Sequence, residues 1–562
     1  MPHSGPHAHP SRQVVVRRWL ACKAARSPSL PQERTVTLQL KSGTSWSETY
    51  ARCVQAAPEA FAPDRLLNLV RGDWHAVGTP GFHTTPLDGT PIPGPPRVGV
   101  EEAAAAVDFA VTAHAAWSRV PLDERSARVR AAVDDLAAHR ELLALLLVWE
   151  IGKPWRLACA DVDRALDGVR WYLDNIERQL GVHTAHPRQP LPGPVSNIAS
   201  WNYPMSVQVH AELVQLLAGN AVLAKTPSQG GFHCLTLAHA LMHRAGLPVS
   251  LLSGMGSEIA DALISSPGLG ALAFVGGRAN GRRAATSLAD SSYAEANRRH
   301  FLEQEGLNTW GVWDFSDWPT LAAHLRKGFE YAKQRCTAYP RYVVQRRLFP
   351  AFLETYLSVL DNLRFGHPLA VADADPRTPY PELDFGPVIH AAKATELTRH
   401  FQQAVAARAV PLYQGDLDDG LFLPDQDTAA YLAPACVLEP PSSWALHHSE
   451  PFGPLDSIVL VDTEAELLAA MNAGNGSLVA SIATDDQAFA ERVAPDLLAF
   501  KIGVNKPRSR GDREEVFGGL GASWKGAFVG GDLLVQAVSY GPEGAEEKLY
   551  GNFPGYSLYP PR

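Results

Sequence analysis

The sequence predicts an α/β protein with two or three packed domains, and three observations lead to this fold class. The chain has 562 residues, and domains typically hold roughly 100–200 residues. Apolar residues recur at three- and four-residue steps from Val98 to Leu173, which indicates amphipathic helices. Short β-type runs alternate with helical stretches over 195–274, and again over about 307–505. That alternation is typical of βαβ units and parallel sheets.

The composition indicates a globular protein that acts on a small molecule. Hydrophobic residues make up 46% of the chain and charged residues 19%, and the 45 Gly and 44 Pro stay below the level of low-complexity disorder. A formal net charge of -9 excludes the basic excess that binding to a phosphate backbone requires. We therefore expect no nucleic-acid partner.

The cysteines and the apolar runs indicate a protein of the cytoplasm. No C-x-x-C pair or short even spacing occurs, so neither a disulfide framework nor a metal site is expected. The longest apolar run, at 142–149, is too short to span a membrane. Residues 1–35 are rich in Arg and lack the apolar core of a signal peptide, and we expect a flexible extension there. The six cysteines are Cys22, Cys53, Cys159, Cys234, Cys336 and Cys436.

Three segments of the first α/β block carry polar groups at predicted strand ends, where open α/β sheets bind ligands. Asn202 of SWNYP could donate to an oxyanion or simply form a turn. Lys225, which ends the run AVLAK, could reach a ribose or a phosphate or be a surface lysine. The run FVGGRANG, with Gly276, Gly277 and Gly281, predicts a glycine-rich turn before a helix, which presents N–H groups to a pyrophosphate.

Two later segments carry reactive groups. Glu303 and Glu305 of LEQEG would share one face of a strand, and one of them could act as a general base. Cys336 follows Lys333 and Arg335, and nearby cations together with a helix N-terminus would lower the pKa of its thiol. An inert core cysteine is the alternative.

Taken together, these segments resemble the aldehyde dehydrogenase superfamily. SWNYP, AGNAVLAK, FVGGRANG, LEQEG, QRC, HSEPFGP and FGG occur in that family's order and approximate spacing, and EIGKP at 150–154 resembles its ETGKP. The resemblance covers roughly residues 98–526. It implies a Rossmann-like cofactor domain, an α/β catalytic domain and a small β extension that joins subunits into homodimers or homotetramers.

The resemblance also implies the domain boundaries. We expect a cofactor domain at 60–303, with 173–191 belonging to the oligomerisation extension. A catalytic domain would span 304–526, and 527–562 would form an oligomerisation segment and tail.

The resemblance assigns roles residue by residue. Cys336 would attack the aldehyde, Asn202 would stabilise the oxyanion, and Glu303 would activate the water that hydrolyses the thioester. The implied cofactor is NADP or NAD. The cofactor-binding residues would be Trp201, Lys225, Ser228, Gly276, Gly277, Gly281, Glu450 and Phe452, and the substrate tunnel would be lined by Tyr203, Val207, His210 and Phe517.

Departures from the family pattern leave alternatives open. Ser200 replaces a Pro, Gly277 stands where Ser is common, and Glu305 adds a carboxylate beside the predicted base. A CoA-acylating or reductive relative typically lacks the glutamate that Glu303 supplies here, which favours hydrolysis. A non-catalytic relative would lose the cysteine, asparagine or glutamate, and all three are present.

Two further expectations concern charge. NAD-specific relatives commonly carry Glu at the position of Ser228, so Ser228 with Lys225 leaves room for the 2′-phosphate of NADP. The segment 505–517 reads NKPRSRGDREEVF, and Arg508 or Arg510 could bind an anionic tail of the substrate. A solvated loop with nearly balanced charges is the alternative.

Overall fold

The computed structural model contains two mixed sheets, each with helices packed on it. It describes residues 37–290, 298–373, 375–474, 476–510, 514–542 and 549. The extension predicted at 1–35, the tail beyond 542 apart from Leu549, and Arg513 of the charged segment lie outside the described residues. The described helices are Trp46–Ala56, Val100–Trp117, Leu122–Ala138, Arg140–Ile151, Trp155–Leu180, His210–Leu217, Phe232–Arg244, Gly256–Ser265, Arg278–Asp290, Trp318–Gly328, Phe349–Leu360, Ala391–Ala406, Glu464–Met471, Gln487–Val493 and Gly531–Ala537.

The first sheet has a parallel centre with antiparallel strands at both edges. Its central strands are buried on both faces, as parallel strands covered by helices are. Its spatial order is Trp524–Gly526, Arg299–Glu303, Ala271–Val275, Val195–Ile198, Val222–Lys225, Val249–Leu252, Asn68–Val70 and Asp73–His75.

The second sheet is parallel except for its first strand. Its spatial order is Val410–Gln414, Ala435–Leu438, Leu455–Val461, Arg341–Gln345, Thr309–Val312, Ser477–Ala483 and Ala499–Val504. The division between the sheets falls near the boundary predicted at 303 and 304. The strand Trp524–Gly526 lies within the segment predicted as catalytic and nevertheless pairs with Arg299–Glu303 of the first sheet.

Four short two-stranded pairings complete the described strands. One of them joins Gln189–Pro190 to Ser539–Tyr540, so the segments predicted to form the oligomerisation extension meet in the chain itself. Residues 173–180 continue the long helix Trp155–Leu180, which ends at the left-handed Gly181. Assembly into a dimer or tetramer stays a prediction. The other pairings are Gln39–Leu40 with Ala370–Val371, Phe61–Ala62 with Arg65–Leu66, and Thr79–Thr84 with Pro91–Arg97.

The two sheets bring different strand ends to the site. Glu303 is the last residue of its strand, and Asn202 and Gly276 follow two neighbouring parallel strands, so all three lie at one edge of the first sheet. Cys336 instead precedes a strand of the second sheet. None of the helices in the described part of the chain is long and apolar enough to cross a membrane.

Candidate active site

Cys336 follows a left-handed turn that contains no glycine. Tyr331, Ala332 and Lys333 have φ angles of 60°, 51° and 57°. Each non-glycine residue in this region costs roughly 1–2 kcal/mol, so the surrounding contacts must hold the turn in place. No helix begins at Cys336, which instead lies in a turn.

Side-chain amides fix the chain on both sides of the nucleophile. Nδ2 of Asn202 donates to the carbonyl of Gln334 at 3.0 Å. Nδ2 of Asn308 donates to the carbonyl of Cys336 at 2.8 Å, and its Oδ1 accepts from the N–H of Val479. Asn202 is buried beside the nucleophile turn, residues 331–336, and its role as oxyanion donor stays a prediction. Asn308 was not among the predicted residues, and no motif points to it.

The charge environment of the thiol differs from the prediction. Burial, followed by the negative charge of Glu303, raises the pKa of Cys336 well above its ordinary value, and Arg510 acts in the opposite direction. Nζ of Lys333 is directed to Asp456 at 2.7 Å. Arg335 donates to the backbone carbonyls of Lys327 and Gly328. The prediction that Lys333, Arg335 and a helix N-terminus lower the pKa of the thiol is therefore wrong.

Glu303 lies between the thiol and an arginine. Its carboxylate is 2% exposed, and its Oε2 accepts from Nη1 of Arg510 at 2.5 Å. Its Oε1 has no hydrogen-bond partner among the described residues. A buried carboxylate with one free oxygen beside the thiol is placed to accept a proton.

The second carboxylate does not share a face with Glu303. The strand ends at Glu303, so Glu305 lies in the loop beyond it, and the alternation of strand side chains no longer applies. Glu305 acts on Glu450 instead: burial first, then the charge of Glu305, raises the pKa of Glu450 well above its usual range. Lys393 opposes this shift.

The residues predicted to bind the cofactor lie around the carboxyl edge of the first sheet. Lys225 is buried at the end of its strand, and its Nζ donates only to the carbonyl of Thr226, at 2.8 Å, among the described contacts. Burial lowers the pKa of Lys225 to about 8. Ser228 is exposed, three residues further along the chain.

The glycine-rich turn joins a strand of the first sheet to the helix Arg278–Asp290. The N–H of Gly276 donates to the carbonyl of Glu303 at 3.1 Å, and a Cβ on Gly281 would come within 2.5 Å of Gln304. Nothing lies within 4 Å of the position that a Cβ on Gly277 would take. This open space at the start of a 13-residue helix fits a pyrophosphate.

Two aromatic residues predicted on the cofactor side contact each other. The rings of Trp201 and Phe452 pack edge to face with their centroids 5.8 Å apart. The ring of Trp201 also packs against Tyr331 of the nucleophile turn, at 6.3 Å. Trp201 therefore connects Phe452 to the turn that precedes Cys336.

A cavity of about 420 Å³ lies beside Cys336, which is one of its lining residues. Tyr203, Val207 and His210 line it, as do Arg508 and Arg510. Glu330 is the one Asp or Glu among the described lining residues. The cations of the lining are Arg164, Lys327, Arg335, Arg508 and Arg510.

The cationic residues of this lining differ in their partners. Arg508 is 5% exposed and pairs with Glu515, and Arg510 pairs with Glu303. Arg164 and Lys327 are exposed, and their side chains make no ion pair within the described part of the chain. They mark the mouth of the cavity. The sequence argument missed both, because neither lies within a recognised motif.

Phe517 does not line the cavity among the described residues. Its side chain is fully buried, and the guanidinium of Arg510 lies 5.0 Å from its ring centroid. It therefore supports Arg510 from beneath, and the prediction that it forms a tunnel wall is wrong.

The EIGKP segment has a structural role that the resemblance alone did not supply. Lys153 is fully buried and paired with Asp161 at 2.7 Å, and its Nζ lies 3.8 Å from the ring centroid of Tyr203. The carboxylate of Glu150 accepts from the N–H groups of His233 and Cys234, the first turn of a helix. Both charges thus fix the elements behind the cavity.

Comparison with known proteins identifies the family. The profile of the aldehyde dehydrogenase family matches residues 82–539, and the chain therefore belongs to this family. The predictions of the family, of an α/β aldehyde dehydrogenase fold and of an NAD(P)-dependent aldehyde dehydrogenase are confirmed.

Solved structures show the same fold. One similar structure is NADP-dependent glyceraldehyde-3-phosphate dehydrogenase from Bacillus halodurans C-125 complexed with NADP, with 24% identity, a TM-score of 0.74, and 84% of this chain and 98% of that chain covered. Aldehyde dehydrogenase from Brucella melitensis biovar abortus 2308 has 24% identity and a TM-score of 0.73, with 84% and 96% covered. Betaine aldehyde dehydrogenase from Staphylococcus aureus in complex with NAD+ has 21% identity and a TM-score of 0.73, with 88% and 96% covered.

Proposed function

We propose that this protein oxidises an aldehyde that carries a remote anionic group to the corresponding carboxylic acid, with NADP or NAD as the oxidant. The observation that carries the substrate class is the cavity at Cys336, whose described lining holds five Arg or Lys side chains and one carboxylate. Arg508, Arg510 and Arg335 are paired with carboxylates, so the attraction for an anionic group would come mainly from Arg164 and Lys327. A guanidinium can bind a carboxylate or phosphate through two hydrogen bonds.

The first step is attack by Cys336. Because its pKa is raised, the resting group is a thiol, and it must lose its proton as it attacks the carbonyl carbon. Glu303 lies against the thiol and has a free oxygen to accept that proton. The product of this step is a thiohemiacetal on Cys336.

Asn202 would stabilise the negative oxygen of the thiohemiacetal. Its Nδ2 already donates to the nucleophile turn, which fixes the amide beside Cys336. The backbone N–H of Cys336 is the expected second donor. Loss of one such donor typically lowers kcat by about 10²–10³-fold.

The cofactor would be held by residues whose contacts leave them free to bind it. Lys225 makes no ion pair with a described residue, and the turn is open at Gly277. Glu450 would accept from the nicotinamide ribose. NADP+ or NAD+ held there would supply the hydride acceptor, and Cys336 would then carry the thioester.

Hydrolysis of the thioester would use Glu303 again. A second cavity, of about 30 Å³, is lined by Glu303, Arg510 and Val207. It is large enough for a water molecule, which needs about 10–15 Å³. Glu303, after passing the proton of the thiol on to solvent, would take a proton from such a water as the water attacks the thioester. The C–S bond would then break, Cys336 would recover a proton from Glu303, and the carboxylic acid would leave.

The test compares matched anionic and neutral aldehydes, for example 4-oxobutanoate and butanal, by formation of reduced cofactor with and without CoA. We expect a higher kcat/KM for the anionic aldehyde, no requirement for CoA and no turnover by Cys336→Ala. Arg164→Met should lower kcat/KM for the anionic aldehyde about tenfold, or ~1.4 kcal/mol, and leave the neutral one unchanged.

Arg170→Met is the matched control, because Arg170 lies on the same helix, is exposed and does not line the cavity. Equal use of both aldehydes, with equal effects of Arg164→Met on each, would refute the proposal that the substrate is anionic. It would leave the proposed oxidation of an aldehyde standing. Turnover that requires CoA would favour the acylating alternative. Turnover by Cys336→Ala would refute the mechanism.

A further inference from the structure

The backbone conformation before Cys336 has no explanation in its own sequence. Three successive residues, Tyr331, Ala332 and Lys333, are left-handed. Only glycine enters this region without steric cost, and runs of other residues leave it unless they are held. The contacts of the three side chains therefore decide where Cys336 stands.

Among the described contacts of these side chains, Tyr331 donates its hydroxyl to the carbonyl of Ile151, and Lys333 makes the one ion pair. The side chain of Lys333 is 1% exposed, and its Nζ lies 2.7 Å from Asp456, whose side chain is fully buried. The same Nζ donates to the carbonyl of Tyr339 at 3.0 Å and to the hydroxyl of Tyr342 at 3.1 Å. All three donor positions of the ammonium are thus used.

Asp456 is itself fixed. It lies in the strand Leu455–Val461 of the second sheet, and its Oδ2 accepts from the hydroxyl of Tyr356 at 2.7 Å. The ion pair therefore ties the residue three positions before Cys336 to a rigid strand. Ala332 has no side chain that reaches an anchor of this kind.

A buried ion pair is poor evidence of stability, because a well-packed apolar pair often stabilises a fold as well or better. A buried ion pair does fix the direction of its side chains, because an unpaired charge in a dry interior is costly. This distinction separates a role in positioning from a role in stability.

We propose that the Lys333–Asp456 ion pair is the positioning device of the nucleophile: it holds residues 331–333 in the left-handed conformation and so places Cys336 beneath Asn202. The proposal rests on the role proposed above for Cys336. Lys333 and Asp456 act through Cys336 and do not take part in the chemistry.

Two double variants separate backbone positioning from an effect of charge. Lys333→Met/Asp456→Leu removes both charges and keeps at position 333 a side chain that disfavours positive φ. Lys333→Gly/Asp456→Leu removes the same charges, and glycine adopts the left-handed conformation without an anchor. Arg326→Met is the control, because it removes an ion pair to Asp384, whose carbonyl accepts from the N–H of Tyr331 in the same turn.

The measurements are kcat and the rate at which iodoacetamide alkylates Cys336 between pH 6 and 10. Mass spectrometry follows the alkylated protein, and Cys336→Ala gives the background from the other cysteines. We expect the Met/Leu pair to lower kcat about tenfold or more and to change the alkylation rate, and the Gly/Leu pair to stay within about threefold of the wild-type values. Arg326→Met should match the wild type.

Equal losses in both double variants, with the same shift of the alkylation profile, would mean that charge and not conformation matters, and would overturn the proposal. Wild-type rates in both would overturn it as well. If neither double variant folds, Asp456→Asn is the substitute, because it keeps the shape of the side chain and weakens its contact with Lys333. A reduced kcat in a folded protein would support the proposal, and unchanged rates would overturn it.

The two proposals fail in different ways. Alkylation reports the position of the thiol whether or not an aldehyde is oxidised. If Cys336→Ala kept its turnover, the proposed function would be refuted. The alkylation rates of the double variants would still show whether the Lys333–Asp456 pair positions the thiol.

Discussion

Lys225 should make the use of NADP+, but not that of NAD+, depend on pH above about 8. Its ammonium is buried among neutral groups, and burial lowers its pKa from 10.5 to about 8. NADP+ differs from NAD+ by the 2′-phosphate, the group that we propose Lys225 binds. Ser228, which is exposed, adds no charge that would repel it.

The size of the effect follows from that pKa. If the protonated lysine binds the phosphate, the interaction is fully present well below pH 8 and is lost as the pH rises through the pKa of Lys225. Between pH 8 and pH 9 the protonated fraction falls about fivefold, which corresponds to ~1 kcal/mol. We therefore expect KM for NADP+ to rise about fivefold between pH 8 and pH 9.

The assay is kcat/KM for both cofactors from pH 7 to 9.5, at a saturating aldehyde concentration. Lys225→Arg keeps its charge throughout this range and should give a flat ratio of the two cofactors. Ser228→Glu should lower the use of NADP+ at every pH because its carboxylate repels the phosphate. Parallel profiles for NADP+ and NAD+ in the wild type would refute the reasoning, and strict preference for NAD+ would refute the prediction that NADP+ is accepted.

Three further changes test the site itself. Cys336→Ser should fold and bind cofactor as the wild type does and lose turnover, and turnover at a tenth of the wild-type rate would contradict its role as nucleophile. Glu303→Gln should slow deacylation more than acylation, so a burst of reduced cofactor should appear or grow in stopped-flow traces; an equally slowed burst would mean that Glu303 serves mainly the thiol. Arg508→Ala should lower the melting temperature without a selective effect on anionic aldehydes, because Arg508 is buried against Glu515; a selective rise in KM would show that it binds the substrate after all.

The order of strands and helices could be predicted because each is a local pattern. The run AVLAK ends at Lys225 as a strand in the structure, whereas the strand predicted to carry both Glu303 and Glu305 stops at Glu303. Parallel strands bring such ends to one edge of a sheet. Chemistry that depends on a strand end was therefore open to sequence reasoning.

Chemistry that depends on side-chain direction was not. Lys333 and Arg335 stand beside Cys336 in the sequence, yet the left-handed turn directs Lys333 to Asp456, 123 residues further along the chain. The cation that does act on the thiol, Arg510, pairs with Glu303 across 207 residues. Neither pairing has a local signal in the sequence. No residue pattern predicts three successive non-glycine residues with positive φ, and none predicts a contact between residues so far apart in the chain.

Arg510 contacts Glu303 and lines the cavity at Cys336, so substrate binding in that cavity could affect the proposed base. It also favours the thiolate of Cys336. On the proposed function, an anionic group that reached Arg510 would compete with Glu303 for the same guanidinium, and the released carboxylate would be free to accept a proton from a water or a thiol. Until then, burial and the charge of Glu303 favour the neutral thiol of Cys336, the form least prone to oxidation. The proposed arrangement would thus protect Cys336 when the site is empty and free the base when an anionic substrate arrives.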